Sequence, residues 1–123
     1  MESLRLDSTN DTPEVIFDVS QNIFSFSGRS LPENAIGFFE PILKWIYEYL
    51  KNPLSTTVFN VSLEYFNTAS AKQLAKVFKS LEKISKTNEV IVNWYYQKVD
   101  TDMQASGDRF SKLIAIKFNL IEL

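Results

Sequence analysis

Strand-like and helix-like segments alternate along this sequence, and that alternation restricts the fold more than any other feature. Five segments have the apolar pattern of strands, at residues 15–20, 23–28, 56–65, 90–96 and 114–120. In three further segments apolar residues recur at helical spacing, at residues 32–50, 69–86 and 100–112. The order β-β-α-β-α-β-α-β predicts an α/β fold with a mixed sheet of about five strands and right-handed crossovers.

The chain has 123 residues, a length that suits one domain. Residues 1–13 are polar and rich in turn-forming residues, so we expect a loose N-terminal lead-in, with the domain formed by residues 14–123. The first ten residues lack the apolar run of a signal peptide, and no stretch is apolar for long enough to cross a membrane. Together with the absence of Cys, these features are compatible with a cytoplasmic protein.

The third strand segment, residues 56–65, has the clearest alternation in the chain. Phe59, Val61, Leu63 and Tyr65 share one face, and the residues between them are polar. Because this strand leads directly into a helix, we expect it to lie in the centre of the sheet. The apolar residues of the helix that follows share one face, which we expect to pack inward: Leu74, Val77, Phe78, Leu81 and Ile84.

The first helical segment contains two lines of apolar residues. The line that we expect to face the core consists of Ile36, Phe39, Leu43, Ile46 and Leu50. The second line is aromatic and consists of Phe38, Trp45 and Tyr49. It either joins a thick core layer or leaves an apolar patch for a partner or a homodimer, and the sequence favours neither. Ser30 or Leu31 before Pro32 indicates the helix start, and Pro41 predicts a kink or a split.

Catalytic and metal sites have little support in this composition. The chain has no His and no Cys, which removes the commonest general base, the commonest metal ligand and thiolate nucleophiles. An enzyme would then need paired carboxylates, and none stand at a suggestive spacing. The spacing of the Asp residues is not that of a calcium or magnesium loop. No catalytic residue, metal or cofactor is therefore predicted.

The junction between the third strand segment and the second helix is the most informative part of the chain. Thr68 stands where the helix begins, and its hydroxyl is suited to capping the free backbone amides. On local sequence alone, that structural role is favoured. The first helical turn, however, has no acid, so its free amides and dipole would also accommodate a phosphate on Thr68.

Three sequence segments together resemble the SiaC family of bacterial regulatory phosphoproteins. Residues 27–35 (SGRSLPENA) are similar to the family's glycine, serine and Pro-Glu-Asn stretch. Residues 63–70 (LEYFNTAS) resemble its phosphorylation segment, and residues 94–96 (WYY) resemble its aromatic fourth strand. The resemblance extends from about residue 15 to residue 118 and implies a fold similar to STAS domains, the class that includes anti-sigma factor antagonists.

This resemblance implies a partner-switching function without catalysis. A cognate Ser/Thr protein kinase would phosphorylate Thr68, and a PP2C-type phosphatase would remove the phosphate. The unphosphorylated form would bind a downstream effector, such as a diguanylate cyclase. Two alternatives stay open: an anti-sigma factor antagonist that controls transcription, and a structural adaptor that is never phosphorylated.

The resemblance also indicates which residues surround the phosphorylation site. Ser70 is the fallback acceptor, and Asn67 precedes Thr68 directly. Glu33 and Asn34 either cap the first helix or approach the Thr68 junction for recognition by a kinase or partner, and the resemblance favours the second role. The remaining residues of this predicted environment are Lys72 and Lys76.

The second helix carries a basic stripe on the face opposite its apolar residues, formed by Lys72, Lys76, Lys79, Lys83 and Lys86. We interpret it first as a solvated face and second as a docking strip for an acidic partner. The formal net charge is −2 and no nucleic-acid-binding motif accompanies the stripe, so nucleic-acid binding is not predicted.

Overall fold

The computed structural model describes all residues, 1–123, and contains one six-stranded mixed sheet and three helices. The strands are β1 (Leu4–Leu6), β2 (Glu14–Asp18), β3 (Ile23–Ser30), β4 (Thr56–Phe66), β5 (Glu89–Tyr96) and β6 (Lys117–Glu122). The helices are α1 (Ala35–Tyr49), α2 (Thr68–Glu82) and α3 (Thr101–Leu113). The sheet order is β1-β2-β3-β4-β5-β6, antiparallel from β1 to β3 and parallel from β3 to β6. The predicted mixed α/β fold is confirmed, with one strand more than expected.

The additional strand is β1, which lies within the segment that we expected to be a loose lead-in. Leu4 and Leu6 are half-buried and pack against the core, and Arg5 forms an ion pair with Asp18 at 2.9 Å. The indole nitrogen of Trp45 also donates a hydrogen bond to the carbonyl of Glu2 at 2.8 Å. The expectation of a loose lead-in was wrong for these residues because three residues are too few to show a strand period.

Strand β4 lies between β3 and β5, as predicted for the third strand segment. Thr57, Phe59, Val61 and Leu63 are buried on the face that the helices cover. Tyr65, expected on the same face, is half-exposed because β4 has one more residue than β3 at this point. Gly28 pairs with Leu63 and Arg29 with Tyr65, so the extra residue is Glu64. This bulge reverses the alternation and brings Phe66 against the core.

Helix α1 differs from the expected pattern in its start and in its inward face. The helix begins at Ala35, after a cap at Asn34, and continues through Pro41 without a break. Ile36 points to solvent because the buried face is centred on the side of the helix that carries Ile42 and Tyr49. Of the expected line, Phe39 and Ile46 are buried, and Leu43 and Leu50 are half-buried against the core. The helix also buries residues outside that line: Ala35, Ile42, Trp45 and Tyr49. Two members of the aromatic line, Trp45 and Tyr49, therefore belong to the core, and Phe38 is half-buried beside Phe39.

All three helices pack on one face of the sheet, as consecutive right-handed crossovers require. Tyr49 of α1 contacts Phe24, while Phe78 of α2 and Phe110 of α3 both contact Trp94. The inward face predicted for α2 is confirmed, since every residue named for it is buried. The opposite face of the sheet has no helix over it, and its side chains are half-buried or exposed except for Asp18, which is buried.

Candidate functional site

The junction of β4 and α2 is organised by Asn67, which is the helix cap. The side-chain oxygen of Asn67 accepts a hydrogen bond from the backbone N–H of Ser70 at 2.9 Å. The backbone N–H of Asn67 itself donates to the carbonyl of Ser30 at 3.0 Å. Our expectation that Thr68 caps the helix was therefore wrong, because Thr68 is the first residue within α2. The Thr68 hydroxyl has no capping role to fulfil.

Ser70, the fallback acceptor, lies beneath this junction. It is fully buried, and its hydroxyl oxygen is 2.8 Å from that of Ser30, which is also buried. A kinase needs an accessible hydroxyl, so this burial contradicts the assignment of Ser70 as an acceptor. The two sequence segments that carried the family resemblance thus meet in space, because β3 supplies Ser30 and α2 supplies Ser70.

Thr68 is exposed, as a phosphorylation site requires. The backbone amides of Thr68 and Ala69 are in the first turn and have no acceptor within the helix. The first turn contains no acidic residue. The positive end of the α2 dipole is therefore not compensated by a carboxylate of the helix itself.

A groove of about 280 Å³ lies beside Thr68, between α2 and α3. Its lining is mostly apolar and consists of Phe66, Thr68, Ala71, Lys72, Ala75, Ser106, Arg109, Phe110 and Leu113. Leu113 is 70% exposed, so an apolar side chain already reaches solvent here. The groove offers an apolar floor with the Thr68 hydroxyl at its margin.

Two cations border this groove, Lys72 and Arg109, and neither forms an ion pair. Arg109 donates one hydrogen bond to the Ser106 hydroxyl at 3.1 Å. Sequence reasoning missed Arg109. No signal in the sequence could have placed it, because its position depends on how α3 packs beside α2.

A second, more polar cavity of about 310 Å³ adjoins the groove at Thr68. Its acidic lining residues are Glu64, Asp100 and Asp102, and Asp100 also caps α3 by accepting the N–H of Met103 at 2.9 Å. Thr68 and Arg109 border both cavities. Thr68 and Arg109 therefore lie where the apolar groove meets a cavity with a more acidic lining.

The sequence comparison with known families identifies the chain. The model of the family described as SiaC family regulatory phosphoprotein matches residues 6–123. This chain belongs to the SiaC family. An uncharacterized protein of Pseudomonas aeruginosa (strain UCBPP-PA14) is 24% identical over 119 residues, which cover 96% of this SiaC family chain and 94% of the relative.

Solved structures of SiaC from Pseudomonas aeruginosa share the fold of this SiaC family member. The apo-SiaC crystal structure superimposes with a TM-score of 0.90 at 23% identity and covers 98% of this chain and 99% of that one. A crystal structure of the diguanylate cyclase SiaD in complex with its activator SiaC matches with a TM-score of 0.90 at 22% identity, over the same shares of the two chains. The fold expectation drawn from the resemblance is thereby confirmed.

Of the other predicted site residues of this SiaC family protein, only Asn67 and Lys72 lie at the Thr68 surfaces. Asn34 accepts the backbone N–H of Gly37 at 3.0 Å and so caps α1, while Glu33 is exposed beside it. Neither residue lines the cavities at Thr68. Lys76 is exposed on α2, one turn beyond Lys72.

None of the three helices of this SiaC family protein is long and apolar enough to cross a membrane. All five lysines of the stripe are exposed, although α2 ends at Glu82, before Lys83 and Lys86. Only Lys79 is paired, with Glu82 at 3.7 Å. That weak pair leaves the stripe available to an acidic partner.

Proposed function

We propose that this protein is a non-enzymatic signalling phosphoprotein whose unphosphorylated form binds and regulates a diguanylate cyclase. In this proposal a cognate Ser/Thr kinase phosphorylates Thr68, and a PP2C-type phosphatase removes the phosphate. The observation that carries the proposal is the position of Thr68, exposed at the margin of the α2–α3 groove. Membership of a family of regulatory phosphoproteins supports it, as does the complex of SiaC from Pseudomonas aeruginosa with the cyclase that it activates.

The effector docks over the groove. An apolar side chain of the effector fits against Phe66, Ala75 and Phe110, where the lining has few polar atoms. Acidic residues around that side chain pair with Lys72 and Arg109, which have no carboxylate partner in this protein. An apolar centre with a charged rim is the usual arrangement of a specific protein interface.

A phosphate on Thr68 changes this surface without changing the fold. It adds a charge of roughly −1.5 to −2 at neutral pH, beside Lys72 and Arg109. The phosphate then competes with the effector's acidic groups for these two cations. Binding the effector would also remove a dianion from water, and that desolvation is costly even for a paired charge. Phosphorylation therefore blocks the surface, and the unmodified protein is the active form.

The test is to titrate the cyclase against unmodified protein, phosphorylated protein, Thr68→Ala and Thr68→Asp. Thr68→Ala should bind as the unmodified protein does and should no longer respond to the kinase. Thr68→Asp should bind more weakly, and phosphorylated protein more weakly still, because a carboxylate has less charge than a phosphate. Thr87→Asp is the matched control, since Thr87 is exposed beyond the far end of α2 and should leave affinity unchanged.

Two further measurements separate this proposal from its alternatives. Circular dichroism should be the same with and without phosphate, and a large spectral change would mean that refolding, not blocking, is the mechanism. Affinity capture with Thr68→Ala as bait should recover a diguanylate cyclase. Recovery of an anti-sigma factor would refute the assigned effector, and an intact mass without an added phosphate in cells that contain the kinase would refute the switch.

A further inference from the structure

Strand β6 is an open edge of the sheet. It pairs only with β5, and the backbone N–H of Leu123 bonds to the carbonyl of Tyr96 at 2.9 Å. Because the groups that bond to one neighbour alternate along a strand, Phe118, Leu120 and Glu122 direct their backbone N–H and carbonyl groups outward. These six groups have no partner strand.

The two edges of the sheet are not alike. The edge strand β1 has only three residues, with the charged Arg5 in its centre, which is a common way to make an edge unattractive for pairing. Strand β6 has six residues, its central four are uncharged, and it contains no proline or bulge. An edge of this kind is suited to pairing with another strand.

A ladder of asparagine side chains crosses the uncovered face of the sheet and ends at β6. Asn60, Asn93 and Asn119 stand side by side in the registers of β4, β5 and β6. The amide of Asn119 donates to the oxygen of Asn93 at 3.1 Å, and Asn93 donates to Asn60 at 3.1 Å. At Asn119 the second amide hydrogen and the side-chain oxygen have no partner in the protein.

We propose that β6 pairs with β6 of a second copy of this chain, antiparallel and centred on Asn119. The two-fold axis then passes between the two Asn119 residues, and the two six-stranded sheets form one continuous sheet. Each Asn119 amide donates its second hydrogen to the oxygen of the other, so the ladder continues across the axis. Such a contact is self-complementary, as a symmetric dimer requires.

We place the two-fold axis at Asn119 because of the residue pairs that this register of the two β6 strands creates. In this register Phe118 of one copy lies opposite Leu120 of the other, and these residues exchange backbone hydrogen bonds. Leu120 is 36% exposed, so an apolar side chain at this edge is available for the pair. A shift by two residues would place Phe118 opposite the carboxylate of Glu122, and Asn119 opposite Ile121, and both pairs are mismatched.

Single-cysteine cross-linking tests the proposal directly, because the chain has no native Cys. Directly opposed residues of a non-hydrogen-bonded pair have Cα atoms roughly 4.5 Å apart, within the range that a disulfide spans. Under mild oxidation, Asn119→Cys should therefore form a disulfide-linked dimer of twice the 14.2 kDa chain mass. Asn93→Cys removes the same ladder contact one strand further in, and should stay monomeric, since its two copies would lie roughly 14 Å apart.

Ile121→Cys is the control for the proposed register of the two β6 strands. This variant should not cross-link with itself, and a mixed disulfide with Asn119→Cys would overturn the proposed centre.

Sedimentation velocity supplies a test without cysteine. Wild type should show a dimer that increases with concentration, and Leu120→Pro should be a folded monomer, because proline removes an outward N–H and leaves the β5 pairing intact. A monomeric wild type, or equal cross-linking of Asn119→Cys and the exposed control Asn52→Cys, would refute the self-pairing.

Discussion

The hydroxyl oxygens of Ser30 and Ser70 lie 2.8 Å apart, and both side chains are buried. This bond joins the end of β3 to the first turn of α2, and the Asn67 N–H to Ser30 carbonyl bond runs beside it. The position of Thr68 is therefore fixed from below by two contacts with β3. The exposed Thr68 is thus held in place by the buried Ser30 and Ser70.

The first prediction concerns this pair. Ser70→Ala leaves the Ser30 hydroxyl buried without a partner, so we expect the free energy of unfolding to fall by about 1–3 kcal/mol. Ser30→Ala should have a similar effect, and the double variant should cost less than the two single changes added together. Urea denaturation of the four proteins measures these values, and strictly additive losses would show that the two hydroxyls do not interact.

The second prediction concerns the orientation of α2. Phe78 is fully buried and contacts Trp94, Phe110 and Phe118. Phe78→Ala should lower the free energy of unfolding by about 3–5 kcal/mol, because it leaves a cavity in the core. Lys76→Ala on the exposed face should change it by no more than about 0.5 kcal/mol. Equal thermal shifts in the two variants would contradict the helix orientation.

A third prediction follows from the close packing of α3 on the sheet. A Cβ added to Gly107 would lie 2.7 Å from a methyl carbon of Leu120 and 2.7 Å from the indole nitrogen of Trp94. Gly107→Ala should therefore destabilise the protein by about 1–3 kcal/mol through overpacking, although alanine is the better helix former by about 1 kcal/mol.

The comparison for this change is Ala105→Gly, which lies on the exposed side of the same helix. It should cost about 1 kcal/mol through helix propensity alone. Thermal unfolding distinguishes the two effects. Should Gly107→Ala raise the melting temperature, helix propensity would outweigh packing at this position, and the close approach of α3 to β5 would be refuted.

The fourth prediction is a dependence of stability on pH. Hydrogen bonds from the Ser20 hydroxyl and the Gln21 N–H, with the Arg5 guanidinium, lower the pKa of Asp18 from its usual 3.8, although burial opposes them. Because the folded-state pKa is the lower one, the stabilisation is complete above the unfolded-state value and is lost as pH falls through the folded-state value.

Asp18→Asn should accordingly destabilise the protein most near neutral pH, and the difference from wild type should shrink below about pH 4. Asp7→Asn, which removes one exposed negative charge nearby, is the control for net charge. Urea denaturation over a pH series gives the result. A difference between Asp18→Asn and wild type that is constant with pH would exclude this carboxylate as the titrating group.

The sequence predicted those elements whose periodicity is long and uninterrupted. The inward face of α2 was correct because its apolar residues, from Leu74 to Ile84, repeat without interruption over about three turns. The face of α1 was wrong at Ile36 because the aromatic line with Trp45 and Tyr49 packs on the sheet, which turns the buried face away from Ile36. The predicted inward position of Tyr65 was wrong because of the bulge at Glu64. That bulge depends on how β4 pairs with β3, which the sequence of β4 alone does not encode.

The sequence predicted Thr68 and Lys72 as residues of the site but did not predict Arg109. Thr68 and Lys72 belong to one helix, so their proximity follows from local spacing. Arg109 comes from α3, and its approach to Thr68 depends on how α3 packs beside α2, which local spacing does not encode. The prediction that Glu33 and Asn34 reach the Thr68 junction has no support in the cavities there, because both residues lie at the start of α1.

The spatial order of the six strands is the same as their order along the chain. During synthesis from the N-terminus, each strand therefore emerges after the neighbour on which it pairs, and no strand has to be inserted between two that are already joined. This topology permits the sheet to grow by one strand at a time at one side, with a helix over each parallel connection. The strand that arrives last, β6, is also the one whose outer side stays unpaired. A second chain that adds its own β6 there would extend the sheet past this edge, with an antiparallel pair where the last three pairs are parallel.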